Sequence, residues 1–179
     1  DFARILYNKG LYQQGLKILE KLKEVAKEHY KYNFLTQVIS WEKKIETLHI
    51  TRSMKDRGTQ LAQEANEVNV RVDMVARMSN LALQLYGFYI ENGHARNEQE
   101  EQKVKDFLSE NIPANAHNQD GFYERLYLYQ SYCWYAFIRQ DFLMYYRYAQ
   151  KWFDIFNEQP LMINVETGYY IKGMHNLLN

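Results

Sequence analysis

Apolar residues recur at helical spacing along nearly the whole chain. From Leu11 to about Lys31, Leu16, Leu19, Leu22 and Ala26 share one face and Lys or Glu occupy the other, the pattern of an amphipathic helix. Residues 2 to 9 read as the end of a preceding helix, interrupted at Gly10. A further helix from about Tyr32 to Leu48 carries Leu35, Val38, Ile39, Trp41 and Ile45. His49-Ile50-Thr51-Arg52-Ser53 is the expected break, with Thr51 or Ser53 placed to cap the next helix.

Between residues 54 and 92 there is no proline, and Leu61, Ala65, Val68, Val72, Val75, Ser79, Ala82 and Tyr86 alternate spacings of four and three, as in a heptad seam. A plain helix longer than about 25 residues is unusual in a globular domain. The dip in helix propensity at Asn66 to Asn69 therefore predicts two helices with a break or kink there. Asn92-Gly93-His94 reads as a stop, with Gly93 at the C-terminal cap. Helices are expected from about Arg96 to Ser109, Phe122 to Arg139, Asp141 to Asn157 and Val165 to Leu178. The stretch Asn111 to Gly121 is the most loop-like, and Pro160 closes the helix before it. No strand pattern competes, so the fold is expected to be all-α.

The turns near Gly10, Ile50, Gly93 and Gln140 recur about every 40 to 47 residues. Gly10-x-Tyr12-x-x-Gly15-Leu16-x-x-Leu19-x-x-Leu22 resembles the second helix of a tetratricopeptide repeat. Looser echoes are Gln140-Asp141-Phe142 with Tyr145, Ala149 and Trp152, and the first-helix pattern Leu83-x-x-Tyr86-Gly87-x-x-Ile90. The family's period is about 34 residues, so the chain resembles a divergent member with elongated helices. The resemblance implies a right-handed superhelical stack of antiparallel helical hairpins, eight or nine helices forming a single domain over residues 1–179. It also implies a small residue at Gly15 for close helix approach, Leu19 and Leu22 packing on the next repeat, and protein or peptide binding in a groove without catalysis.

Composition narrows this reading little, except in one respect. The net charge is zero, so no global field favours nucleic acid, and the basic-leaning stretches Lys21 to Lys31 and Arg52 to Arg57 are interleaved with acids. No run of apolar residues is long enough to span a membrane, and the N-terminus lacks a signal-peptide pattern. The chain has no initiating Met and ends inside a helical pattern, so it reads as part of a longer protein, for which a cytoplasmic location is expected. Its last helix, 165 to 178, is expected to bare an apolar face and to self-associate. The unusual feature is the aromatic content: 16 Tyr, 9 Phe and 3 Trp.

Candidate chemistry is sparse. The chain contains no phosphate-binding glycine loop, no HExxH, no EF-hand loop and no GxSxG. His94 and Glu98 have metal-ligand spacing, but the preferred reading is a solvated turn and helix start, with Glu favoured in the first turn by the dipole. Glu98, Glu100, Glu101, Asp106 and Glu110 read as a solvated face. His29, His49, His117 and His175 are scattered, and the single cysteine, Cys133, reads as a buried inert thiol. No metal, cofactor or catalytic residue is expected.

The sharpest candidate is aromatic. Tyr127, Tyr129, Tyr132, Trp134, Tyr135, Tyr145, Tyr146, Tyr148 and Trp152 place rings around most of the circumference of two consecutive helices. Either both helices are covered on two faces, or they leave an aromatic groove for a partner. In the second case Tyr127, Trp134, Tyr145, Tyr148 and Trp152 are the expected partner-binding residues. The few bases nearby, Arg125, Arg139, Arg147 and Lys151, favour peptide over RNA. The expected function is a non-enzymatic protein- or peptide-binding scaffold. The alternatives are a regulatory or sensor domain of a larger signalling or transcription-regulating protein and an RNA-binding helical array.

Overall fold

The computed structural model describes residues 2–49 and 54–178. Among them every regular element is helical: α1 (Phe2–Asn8), α2 (Tyr12–Glu28), α3 (Tyr32–His49), α4 (Met54–Asn92), α5 (Glu98–Asn111), α6 (Phe122–Ile138), α7 (Phe142–Glu158), α8 (Leu161–Val165) and α9 (Thr167–Leu178). A 3₁₀ turn at Ala116–Asn118 lies between α5 and α6. The all-α expectation is met. No described helix is long and apolar enough to cross a membrane. Ile50, Thr51 and Ser53, expected as the break and its cap, lie outside the described residues.

Three helices end in one and the same backbone turn. After α1, the Gly10 N–H donates to Tyr7 O and the Leu11 N–H to Leu6 O. After α2, Tyr30 donates to Lys27 O and Lys31 to Ala26 O; after α6, Gln140 donates to Phe137 O and Asp141 to Ala136 O. This paired bonding satisfies the last carbonyls of a helix and requires a left-handed residue. That residue is Gly10, Tyr30 or Gln140, at φ 72°, 55° and 57°.

The chain forms two compact units whose boundary falls inside α4: the first runs to Asp73 and the second begins at Met74. In the first unit, Gly15 is buried, and a Cβ there would meet Ile45 Cδ1 at 3.6 Å and Leu6 Cβ at 4.0 Å. The glycine thus sits where α1, α2 and α3 approach. Leu19 packs with Ala3, Val38 and Ile45, and Leu22 borders that cluster. A second cluster joins Ala26, Leu35, Ile39 and Val68.

Beside these lies a buried ion network that the sequence reading did not anticipate. Lys23, 6% exposed, pairs with Glu42 of α3 and Glu64 of α4, both at 2.8 Å. Lys27 also reaches Glu64 at 2.8 Å, and Arg57 pairs with Glu42 and approaches Glu46 at 3.8 Å. Burial alone would raise the Glu64 pKa, but hydrogen bonds from Lys23 and Lys27 outweigh it and hold the carboxyl below its ordinary value. The signal was present: Lys23 follows Leu19 by four and precedes Ala26 by three, so it occupies the apolar stripe of α2.

The second unit contains the rest of α4 and everything after it. Leu81, Leu85, Val104, Leu108, Tyr135 and Ile138 form one core cluster, and Met74, Met78, Ala116 and Leu128 another. Asn97 caps α5 by accepting from the Glu100 N–H at 3.0 Å, while Glu100 accepts from the Arg96 N–H at 2.8 Å. Asp141 caps α7 by accepting from the Met144 N–H at 3.0 Å. Gly93 stands at φ 71°, as its place after α4 requires.

Several expectations are corrected. Residues 54–92 are one helix, not two broken near Asn66 to Asn69. Asn66 and Asn69 are exposed while Val68 is buried; its packing outweighs a propensity cost of roughly 0.7 kcal/mol per Asn. In the second unit the buried positions of α4 are Met74, Met78, Leu81, Ala82 and Leu85 rather than Val75, Ser79 and Tyr86. The Leu83-Tyr86-Gly87-Ile90 pattern is not a packed seam: Leu83, Tyr86 and Ile90 are exposed, and nothing lies within 4 Å of a Cβ added to Gly87. The last helix is met as α9, and the short helix α8 between Pro160 and Glu166 is an addition that was not expected. α9 leaves Ile171, Met174 and Leu178 exposed, the apolar face expected of it.

Candidate functional site

Three helices of the second unit each contribute one stripe of side chains to a cavity of about 280 Å³. From α6 come Gln130, Cys133, Trp134 and Phe137, spaced three, one and three apart, which places them on a single helical face. Tyr145 and Trp152, seven apart, come from α7. Lys172, His175 and Asn176 come from α9 with the same three-and-four spacing. The side walls are therefore mostly aromatic; α9 supplies an ammonium, an imidazole and an amide, and Gln130 of α6 a second amide.

Packing holds the walls in place. Trp134 stacks on Tyr89 with ring centres 5.6 Å apart and an interplanar angle of 29°, and Phe137 lies 5.9 Å from Tyr145. The Trp152 indole N–H donates to Tyr169 O at 3.1 Å. Gly173 of α9 lies directly against that indole, since a Cβ there would stand 3.0 Å from Trp152 Cδ1. The absence of a side chain at 173 thus lets α9 approach α7 closely enough to bound the cavity.

Two observations bear on its chemistry. Burial pushes the Cys133 thiol up to about 12, and burial together with Cys133 pushes the Tyr145 hydroxyl up to about 12. Both groups are protonated at neutral pH, so the thiol is not an activated nucleophile. Asn176 is 6% exposed and lines the cavity, yet its amide makes no hydrogen bond to any described residue. An amide that opens on the cavity with no protein partner is available to a ligand's polar group.

Of the five expected partner-binding residues, Trp134, Tyr145 and Trp152 come together here. Tyr127 does not: it packs edge-on against Tyr169 at 6.0 Å, and burial with the Tyr169 hydrogen bond raises its hydroxyl pKa. Tyr148 stacks on Tyr132 at 4.3 Å, with the Lys151 ammonium 5.1 Å from its ring centre. Much of the aromatic content is therefore mutual packing. The sequence reading missed Gln130, Phe137, Lys172 and Asn176, and saw His175 and Cys133 only in isolation. The usable signal was the matched three-and-four spacing on α6 and α9.

The other candidates separate. His94 Nδ1 donates to Phe137 O at 2.9 Å and the Ala95 N–H to Ile138 O at 2.8 Å, fastening the turn before α5 to the end of α6. Glu98, Glu100 and Glu101 form the acidic first turn of α5. Among the described residues no group of three His, Cys, Asp or Glu is placed to hold a metal ion. Comparison of the chain with models of protein families, with functionally characterised proteins and with solved structures finds no match.

Proposed function

We propose that this chain is a tetratricopeptide-like array of elongated helical hairpins that binds a peptide segment without catalysis. In this reading, one bulky apolar side chain seats in the cavity lined by α6, α7 and α9. The observation that carries it is the conjunction of aromatic walls with the unpartnered Asn176 amide. Ligand sites characteristically combine an apolar lining with a few convergent polar groups. The recurrence of one helix-ending turn at Gly10, Tyr30 and Gln140 supports a repeated hairpin design. The protonated thiol and the zero net charge weigh against nucleophilic catalysis and nucleic-acid binding. The exposed Ile171, Met174 and Leu178 extend the reading to self-association through α9.

Short peptides carrying a single Trp or Phe among Gly and Ser test the cavity by calorimetry. They are expected to bind the full chain, whereas Gly-Ser peptides are not. Gln130→Trp, which fills the cavity from α6, is expected to abolish binding. Equal affinity for polar and aromatic peptides, or binding undisturbed by Gln130→Trp, would exclude this site.

A further inference from the structure

The lining of the cavity in the second unit is uneven in charge. It includes no aspartate or glutamate among the described residues, whereas Lys172 and His175 stand one turn apart on α9 and Asn176 lies beside them. Lys172 has no ion-pair partner among the described residues. From this juxtaposition of a lysine ammonium, an amide without a hydrogen-bond partner and aromatic walls we infer that the cavity recognises an aromatic group bearing a carboxylate. The inference rests on the cavity being a ligand site, as proposed above, and adds the chemical class of what enters it.

Size and charge act together. A cavity of about 150 Å³ is enough to hold benzene; one of 280 Å³ has room for a bicyclic ring, or a single ring with a short polar arm. Trp134, Phe137, Tyr145 and Trp152 offer ring faces and edges for such a group. Lys172 at the exposed side supplies a charge-assisted hydrogen bond to a carboxylate oxygen, and the Asn176 amide supplies a second donor from within. An ammonium in the same place would face Lys172 without a compensating acid. The carboxylate source is either a free aromatic acid or an aromatic residue at a peptide terminus, and both present the same chemistry.

Calorimetric titration of the full chain with three near-isosteric probes, indole-3-acetate, indole-3-acetamide and tryptamine, reads the preference directly. The acetate is expected to bind about tenfold more tightly than the amide and tryptamine more weakly than either. Lys172→Gln, at an exposed position, is expected to remove the advantage of the acetate while leaving the amide's affinity unchanged. Ala-Ala-Trp with a free terminus, compared with its amidated form, distinguishes the sources; tighter binding of the free tripeptide than of indole-3-acetate assigns a peptide and the reverse a small molecule. Equal affinity for acetate and amide, or tighter binding of tryptamine, overturns the charge preference but leaves the aromatic site standing. Failure of all three probes to bind overturns the aromatic site itself.

Discussion

Tyr30 and Gln140 hold a left-handed backbone conformation that an L-residue adopts at a cost of about 1–2 kcal/mol. Gly10 performs the same role without that cost. Gln140 is exposed, so its side chain offers little packing in return. Gln140→Gly is therefore expected to stabilise the chain by about 0.5–1 kcal/mol, the strain relief less the extra freedom of glycine in the unfolded chain. Gly10→Ala is expected to cost about 1 kcal/mol by the same reasoning. Chemical denaturation with an unchanged denaturant slope checks both, and a destabilised Gln140→Gly variant contradicts the account. At this scale Gly10 and Gln140 were visible in the sequence. Tyr30 was not, because its type does not mark a turn and only the bonds to Ala26 and Lys27 define one.

Between elements, small residues and buried charges decide how helices meet. A methyl group at Gly173 would press on an indole fixed by its bond to Tyr169 O, so Gly173→Ala is expected to cost about 1–3 kcal/mol as overpacking. It should also shift the emission of Trp152. A neutral effect on both measurements would show that α9 moves freely against α7. In the first unit, Lys23→Met leaves buried Glu42 with one cation fewer and is expected to cost about 2–4 kcal/mol, read from thermal or denaturant unfolding. The apolar stripe of α2 was legible from spacing alone, and Lys23 was the residue within it that did not fit. Its reason, the carboxylates of α3 and α4, depends on contacts about 20 and 40 positions away.

For the molecule as a whole, the first unit carries a buried ion network beside its apolar clusters, and acid is expected to act there first. Glu64 has a folded pKa below its ordinary value of 4.5, so the unfolded chain takes up the proton first. Its contribution to stability is full above about pH 4.5 and fades as pH falls through the lowered folded value. The first unit is thus expected to lose native amide signals in an NMR acid titration before α6, α7 and α9, whose core is largely aromatic and aliphatic. Loss in the reverse order would show that the network of Lys23, Glu42 and Glu64 does not govern acid stability.

The sequence by itself determined the helical class, most helix boundaries within about three residues and the glycine turns, because periodicity and backbone preference act locally. It also singled out Trp134, Tyr145 and Trp152, although among too many rings. Tertiary structure alone decided that α4 continues through Asn66 to Asn69, since burial of Val68 against α2 and α3 outweighs a local preference. It alone divided the aromatic residues between wall and core, sending Tyr127 toward Tyr169 and Tyr148 toward Tyr132. The cavity belongs to the same category. Its stripes lie on three helices, and spacing within one helix carries no information about which faces of separate helices meet.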